Sequence, residues 1–554
     1  MLDQALLNRI QDPEVRDVVK LLANLYEQAM TENDNLKAKI QLLEDEINRL
    51  KGEHGNPDIK RNRPKPPDSG DQSSETERKE RKPWTKRSKN KNLIIDRTVR
   101  LPAPSDMPPD AAFKDYERVT VQNLIVKTET ICFERAKYYS ATTGKTYLSP
   151  LPPGYTRDFG PNVKAVALTL HHVGNVSQNA LEALFHSIGL QISAGAISNL
   201  LVKDQDDFHK EKRDIGLAGL ASSSWQQTDD TYTSVNGVNH HAHVLCNPLY
   251  TRYETLAHKD RLSVLDVLLN GKPREFVLTP EVLGSEAVGK LPRKWHRVLA
   301  DLPQGKTWNE ADLTEMLDEK LKTLSKQGRK SLLEQMALAA YRSQDEVPVI
   351  DLLLCDDAPQ FPGLTVALAL CWVHDARHYK KLTPHLDCHR QTLSEFMERY
   401  WAYYYRLSAY RDAPTDSERE ALWRDFDKLF VPNTDYGDLN SCIQRTANNK
   451  EKLLQVLWHP EIPLHNNASE LAARLRVRKR DVSFGPRTSG GANAWDTFQT
   501  IAATAQKLGV NFTKYLTDRI TKTFEMPSLA SLITARTPIK LEPQPTRSLP
   551  SPDY

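Results

Sequence analysis

The spacing of apolar residues near the start of the chain predicts a coiled coil. Within residues 1–52, apolar side chains recur every seven residues as paired a and d positions, the pattern of helices that supercoil together. The d positions are Leu22, Ala29, Leu36, Leu43 and Leu50, and the a positions are Val19, Tyr26, Asn33, Ile40 and Ile47. We predict a dimerising leucine zipper, because isoleucine at a, leucine at d and one asparagine at a favour a two-stranded coil. The alternative is an amphipathic helix packed on the chain's own globular part.

The apolar pattern ends near residue 53, where the composition becomes polar, charged and rich in proline. We interpret residues 53–115 as a flexible basic linker. Residues 51–100 contain 15 lysines and arginines against 8 acidic residues, whereas the whole chain is nearly balanced, with 75 against 72. Such a block is either a solvated linker or an arm that binds nucleic-acid phosphates. The residues predicted to contact DNA in this arm are Arg78, Lys79, Arg81, Lys82, Lys86 and Arg87.

Two smaller regions follow the linker. Residues 116–161 contain short β segments with a turn at Thr143 and Gly144. Residues 162–220 are helical, and "SQNALEALFHSIGLQISAGAISNLL" (177–201) has the spacing of two helices joined by a turn at Gly189, with Ser193 as N-cap of the second helix. A DNA-binding helix-turn-helix and a plain helical hairpin both fit this pattern.

From Ser222 onward the pattern changes to apolar runs that end in acids. "SSSWQQTDDTYTSV" predicts a strand that ends at Asp229 and Asp230, and "VPVIDLLLCDDAPQF" predicts a second strand that ends at Asp356 and Asp357. Neighbouring strands bring such termini together, and carboxylate oxygens suit Mg²⁺ or Mn²⁺ rather than zinc. Paired aspartates are also ordinary turn residues, so the acids alone leave both interpretations open.

A third acid lies on a predicted helix. In "HNNASELAARLRVRKR" (465–480), Glu470, Arg474 and Arg478 fall on one helix face at i, i+4 and i+8. Glu470 is either one half of a surface ion pair or a metal ligand beside arginines that hold phosphate. The predicted phosphate contacts here are Arg474, Arg478, Lys479 and Arg480.

Four motifs, in order, resemble the insertion sequence 66 family of transposases: "WQQTDDT", "LLLCDDAPQF", "LCWVHDARHYKKL" and "LHNNASELAARLRVRKRDVSFG". The resemblance covers roughly residues 162–520. It implies a ribonuclease-H-like α/β core at 221–382 and 461–525, a large all-α insertion at 383–460, and an aspartate–aspartate–glutamate (DDE) catalytic triad of Asp229, Asp356 and Glu470. Asp357 is the alternative second acid. The triad would hold two Mg²⁺ ions, with Mn²⁺ as a substitute, and residues 526–554 are expected to form a disordered tail.

The function expected from this resemblance is binding of terminal inverted repeats, followed by metal-dependent cleavage and strand transfer into target DNA. The alternatives are a non-catalytic, domesticated DNA-binding dimer and a nuclease that does not join strands. Small accessory proteins are further possible partners, and zinc binding by the cysteines and histidines of 371–389 is left open.

Composition argues for a protein of the cytoplasm, and the resemblance to the insertion sequence 66 family implies a bacterial protein associated with the nucleoid. No apolar run approaches the roughly 20 residues that span a bilayer. The N-terminal residues lack a signal-peptide pattern, and six scattered cysteines show no disulfide framework.

Overall fold

The computed structural model describes residues 4–50, 94–102, 108, 111, 113–156 and 158–538. The six residues of the basic arm, from Arg78 to Arg87, lie outside this part of the chain. Within it, the protein is mainly helical and contains one mixed sheet. None of the helices described is long and apolar enough to cross a membrane.

The elements that precede the central sheet are six helices and one hairpin. They are α1 (Gln4–Arg9), α2 (Pro13–Leu50), β1 (Lys137–Ser140), β2 (Lys145–Leu148), α3 (Pro161–His172), α4 (Gln178–Ser187), α5 (Ala194–Val202) and α6 (Asp206–Ala221). The hairpin turns at Gly144, whose φ of +63° suits glycine, as the sequence predicted. Ser193 accepts a hydrogen bond from the Ala196 N–H and caps α5, which confirms its predicted role.

The central sheet has five strands in the spatial order β5–β4–β3–β8–β9. The strands are β3 (Trp225–Val235), β4 (Val238–Cys246), β5 (Thr251–Leu256), β8 (Leu352–Cys355) and β9 (Ala367–Leu370). β3, β4 and β5 are antiparallel neighbours, while β8 runs parallel to β3 and β9 parallel to β8. The fully buried strand β8 is continuously apolar, as expected for a parallel strand covered on both faces.

Between β5 and β8 the chain forms a helical segment with a short two-stranded pair. Its elements are α7 (Arg261–Leu268), β6 (Phe276–Val277), α8 (Pro280–Leu283), α9 (Glu286–Gly289), α10 (Arg293–Ala300), β7 (Thr307–Trp308), α11 (Glu310–Lys320) and α12 (Lys326–Ser343). The pair β6–β7 was not predicted from the sequence, because two-residue strands leave no periodic pattern.

Helices also follow the sheet. They are α13 (Trp372–Lys380), α14 (Asp387–Asp412), α15 (Asp416–Leu429), α16 (Gly437–Asn448), α17 (Lys450–Leu453), a 3₁₀ turn (Gln455–Leu457), α18 (Asn467–Ser483), α19 (Ser489–Lys507), α20 (Phe512–Ile520) and α21 (Leu529–Arg536). The prediction that residues 526–554 form a disordered tail is wrong for α21. Leu529 and Ile533 of this helix are fully buried, and the helix packs on α6. Residues 539–554 lie outside the described part.

Trp372 joins the helices at 387–457 to the sheet. Its indole is fully buried, lies against Tyr400 and Tyr403 of α14 and Phe430 beyond α15, and donates a hydrogen bond to the Leu453 carbonyl. The aromatic residues of α14 are therefore mostly core residues, with Tyr405 an exposed exception. This packing holds α13 firmly between the sheet and the helical insertion.

Two faces of α2, the helix that carries the predicted zipper, differ in burial. Ala23 and Glu27 are buried against residues 385–389, where the Glu27 carboxylate accepts hydrogen bonds from the His385 and Leu386 N–H groups. The face of α2 that carries Ala23 and Glu27 therefore packs on the globular part of the same chain, as the alternative to the zipper proposes. Of the predicted a and d residues, Val19 is partly buried in the same cluster as Ala23 and Leu386. Later seam residues are exposed: Leu22, Asn33, Leu36, Ile40, Leu43 and Ile47. The backbone helix continues to Leu50.

Candidate active site

Asp229 and Asp230 lie in the middle of β3 and point to opposite faces of the sheet. The prediction that the strand ends at these acids is wrong, because β3 continues to Val235 through its pairing with β4. Asp229 lies opposite Val244, which packs with Tyr253 of β5 and with Ala472 and Ala473 of α18. Directly opposed residues share a face, so Asp229 faces α18 and Asp230 faces away from it.

Asp356 follows β8 directly, as the sequence predicted. In the parallel pairing of β3 with β8, Gln227 lies opposite Leu354. Asp229 and Asp356 each lie two residues further along these parallel segments, so they are neighbours across the sheet. The next acid, Asp357, is partly exposed and its Oδ2 accepts a hydrogen bond of 2.7 Å from Arg445 of α16. This ion pair occupies Asp357, so the geometry favours Asp356 as the partner of Asp229.

Glu470 lies in the first turn of α18, and the start of this helix is fixed to the sheet. The buried Asn466 side chain donates a 2.7 Å hydrogen bond to the Thr228 carbonyl, and the Asn466 N–H donates to the Cys371 sulfur at 3.3 Å. The Trp372 N–H donates to the Leu464 carbonyl at 3.0 Å. These contacts connect α18 to β3 and to the start of α13, so they fix the position of Glu470 on the face of the sheet that carries Asp229.

The charges of the other two acids both act on Asp229. Burial, together with the charges of Asp356 and Glu470, raises the pKa of Asp229 to about 7. Burial also raises the pKa of Asp356, assisted by the charges of Asp230 and Asp357. The three carboxylates would supply the hard oxygen donors that Mg²⁺ or Mn²⁺ prefers, although among the described residues the ligand atoms that lie within 4.8 Å of one another are those of Cys371, His374 and Glu470.

Arg377 of α13 is the residue nearest to Glu470 that the sequence interpretation missed. Its Nη2 donates to both Glu470 carboxylate oxygens, at 2.9 and 3.2 Å. Arg474, the predicted neighbour, is 3.7 Å from the same carboxylate. Arg377 lies one helical turn after His374, whose Nδ1 is 3.6 Å from Glu470, so both side chains face the start of α18.

The basic residues after Glu470 divide into exposed and buried groups. Arg474 and Arg478 are exposed on α18. Arg480 is half-buried and donates to the Tyr232 carbonyl. Lys479 does not fit the predicted phosphate contact, because it is fully buried, donates to the His171 carbonyl and lies over the Trp495 ring. Every third or fourth residue of a helix faces the core, and Lys479 occupies that face.

The cysteines and histidines of 371–389 separate into two places. Ligand atoms of Cys371, His374 and Glu470 all lie within 4.8 Å of one another. In the metal-free protein burial raises the pKa of the Cys371 thiol to about 12, and its sulfur accepts the hydrogen bond from the Asn466 N–H. The second group, Cys388 and His389, packs against α2 instead. In the described part of the chain the first group supplies three ligand atoms, one fewer than the four of a structural zinc site.

A cavity of about 390 Å³ adjoins Asp356 and opens between α13 and α16. Its lining includes the cationic residues Arg377, Lys381 and Arg445, of which Arg445 is paired with Asp357. Cations beside a carboxylate cluster are suited to binding the phosphates of a nucleic acid that enters the site.

Comparison with known proteins is consistent with this geometry. Residues 352–494, which include Asp356 and Glu470, match the model of the family described as "Transposase IS66 family". A protein of Sinorhizobium fredii (strain NBRC 101917 / NGR234), named uncharacterized protein y4jO, is 30% identical over 308 residues, which cover 55% of this chain and 94% of that relative.

Proposed function

The chain belongs to the IS66 transposase family, and we propose that it is a DDE transposase that cuts the ends of an insertion sequence and joins them to target DNA. The observation that carries this proposal is the convergence of Asp229, Asp356 and Glu470 from two adjacent strands and one helix. The order and directions of the five strands support a ribonuclease-H-like core.

The triad's role is to hold divalent cations. Mg²⁺ ions bound by these carboxylates, or Mn²⁺ in their place, supply activation of the attacking hydroxyl and stabilisation of the leaving oxygen. Asp229 must release its proton to become a ligand, because its pKa is raised to about 7 in the cation-free protein. Arg377 keeps Glu470 in place through its two hydrogen bonds while no cation neutralises the carboxylate.

Positive side chains beside the triad bind and orient the DNA backbone. Arg474 and Arg478 extend from Glu470 along one exposed line of α18. A strand held on this line would keep its scissile phosphate at the carboxylates, while the arginines contact the following phosphates. In the absence of DNA, Arg474 rests 3.7 Å from Glu470, so the simple ion pair is the resting arrangement of a phosphate-binding side chain.

DNA end recognition is assigned to the regions before the catalytic core. We include the basic arm and the helices α4 and α5, whose turn at Gly189 has the φ of +85° that a tight helix–helix connection requires. Terminal inverted repeats are the proposed ligand of these elements, and accessory proteins of the same element are proposed partners.

The zipper seam of α2 is proposed to pair with a second copy of this chain. Leu36, Ile40, Leu43 and Ile47 lie exposed at a and d positions, and an unpartnered apolar stripe of this length is unfavourable in water. A second copy carries the same stripe and the same a-position Asn33, so two parallel helices satisfy each other.

A cleavage assay with adjacent-acid controls tests the catalytic proposal. The substrate is duplex DNA from the end of the element, supplied with Mg²⁺ and any accessory proteins. Replacing Asp229 or Asp356 by Asn, or Glu470 by Gln, should reduce nicking on the order of 10²-fold or more. Asp230→Asn and Asp357→Asn are isosteric controls that should retain nicking. Wild-type protein without cleavage or joining under these conditions would contradict the enzymatic proposal.

A further inference from the structure

Phe484 is an exposed aromatic side chain in a strained backbone conformation. It follows the last residue of α18, with φ of +57°, a region that bulky residues rarely adopt. Its side chain is 86% exposed, the highest value among the fourteen phenylalanines. A helix usually ends in this conformation with glycine, and here glycine comes one residue later. Neither backbone preference nor burial accounts for phenylalanine at this position.

The backbone around Phe484 is fixed to the turn between β3 and β4. A Cβ atom at Gly485 would collide with the Ser234 carbonyl, so only glycine permits this close approach. The Asn236 N–H donates a 2.9 Å hydrogen bond to the Pro486 carbonyl. Phe484 is therefore presented to solvent by a rigid loop.

A cleft of about 510 Å³ lies beside Phe484, between α3–α5 and the loop that joins α18 to α19. This volume is within the range of roughly 300–1,000 Å³ that accommodates small organic ligands. Polar groups on its wall come from Gln178, Asn179 and Ser198, and Arg487 adds a positive charge. His172 also lines it, and both of its ring nitrogens are buried without a hydrogen-bond partner, although a neutral imidazole needs a donor and an acceptor.

The cleft and Phe484 are aligned with the candidate active site. Glu470 and Phe484 belong to the same helical segment, and at 1.5 Å per residue they are separated by about 20 Å. The exposed Arg474 and Arg478 lie between them. DNA that follows these arginines would reach Phe484 about six base pairs from the triad, at roughly 3.4 Å per base pair.

From this geometry we propose that Phe484 inserts into a base step of the bound DNA and that the cleft receives the unstacked nucleotide. An apolar wedge of this kind separates neighbouring bases and bends the duplex. The polar groups of the cleft bind the edge of the base, and Arg487 binds its phosphate. This inference rests on the proposed function, since it requires DNA along α18.

The test uses full-length protein and duplexes from the element's end, each with one fluorescent adenine analogue whose emission rises on unstacking. Wild-type protein should raise emission at one position, about six base pairs from the cleavage site. Phe484→Ala should abolish the rise and weaken binding roughly 5- to 100-fold. Phe484→Trp should restore both, and Ser198→Phe, which fills the cleft, should reduce the emission rise. Phe524→Ala is the matched control, because Phe524 is also exposed with positive φ but lies elsewhere.

Binding to a duplex with an abasic site distinguishes loss of Phe484 insertion from a general folding defect of the variant. Removing the base at the unstacked position should shrink the difference in DNA affinity between wild type and Phe484→Ala, because no stacking remains for Phe484 to break. Normal cleavage together with an emission rise that Phe484→Ala leaves unchanged would overturn the wedge while leaving the proposed function intact. Absence of any cleavage or joining by wild type would instead overturn the proposed function, and absence of any emission rise in bound DNA would overturn the wedge alone.

Discussion

The Asn466 side chain donates a 2.7 Å hydrogen bond to the Thr228 carbonyl, and each of these residues precedes a member of the proposed triad. Thr228 is followed by Asp229, and Asn466 lies one helical turn before Glu470. Because both partners are buried, no water replaces this bond when it is lost. The contact therefore sets the position of the third acid relative to the first.

Asn466→Ala should impair cleavage more than it impairs folding. The substitution removes a hydrogen bond between two buried groups, a loss of about 1–3 kcal/mol, and it frees the start of α18 to move. We expect a lower unfolding temperature together with a loss of nicking that persists well below that temperature. Asn467→Ala serves as the neighbouring control, since the Asn467 Oδ1 has no hydrogen-bond partner. Equal activity of the two variants would contradict this role of Asn466.

Arg377→Ala should strengthen divalent-cation binding while weakening DNA binding. The guanidinium contacts Glu470 at 2.9 Å, and its positive charge opposes a cation at the same carboxylate. Arg377 is partly exposed, so solvent screening limits the change in cation affinity to about two- to fivefold. Titration with Mn²⁺ by calorimetry measures it. Arg445→Ala, which removes the partner of Asp357 instead, should change Mn²⁺ affinity less.

Stability of the cation-free protein should fall as pH rises from about 4 to about 7. The folded protein retains the Asp229 proton up to its raised pKa of about 7, whereas the unfolded chain loses that proton near 4. The unfolded state therefore binds fewer protons in this window, and the unfolding free energy decreases with pH. Thermal unfolding of wild type and Asp229→Asn across this range measures the effect, and the variant should show a smaller slope.

Cation binding should have the opposite dependence on pH. Mn²⁺ displaces the Asp229 proton, so its affinity should rise with pH up to about 7 and then level off. Calorimetry in buffers of different ionisation enthalpy counts the protons released. Proton release that is the same in wild type and Asp229→Asn would show that Asp229 is not the residue that titrates.

Arg478 and Lys479 are adjacent in sequence and should give opposite phenotypes. Arg478→Ala should leave stability unchanged and reduce the salt dependence of DNA binding by about one phosphate contact. Lys479→Ala should lower stability by about 1–3 kcal/mol, because it removes the donor to the buried His171 carbonyl. Filter binding at several salt concentrations and thermal unfolding distinguish the two. The assignment of Lys479 to the core would be wrong if its loss changed only DNA binding.

Dimerisation through α2 should depend on the residues at the a and d positions of the predicted seam. Leu43→Asp places a charge at a d position and should convert dimers to monomers in light scattering. Leu42→Asp alters the neighbouring leucine, which is also exposed but lies outside the seam. Dimers that survive Leu43→Asp and dissociate with Leu42→Asp would place the interface on another face of α2.

The sequence predicted local features of the site better than contacts between distant segments. Asp356 after an apolar strand and Glu470 on a helix follow from periodicity. Asp229 was assigned to a strand end because two acids usually stop a strand, but pairing with β4 carries β3 onward to Val235. Arg377 escaped notice because its partner, Glu470, lies 93 positions away, and no local pattern reports such a contact.

Burial was the second quantity that the sequence could not supply. Lys479 and Arg478 are both basic residues of one helix, and only the packing of α18 on Trp495 and His171 separates them. Likewise, α21 has no strong pattern of its own, and it is ordered by burying Leu529 and Ile533 with α6 and α19.

The contact between Glu27 and residues 385–389 has a consequence for an assembled pair of chains. Although the segment after α2 is predicted to be a basic linker, the buried Glu27 carboxylate holds this helix to the start of α14. Trp372 packs on α14 beside the sheet that carries the proposed triad. In a dimer paired through α2, the sheet-containing parts of the two chains would therefore not move independently of the paired helices. The paired α2 helices would fix the distance between the two proposed catalytic centres, and hence the spacing between paired DNA cuts.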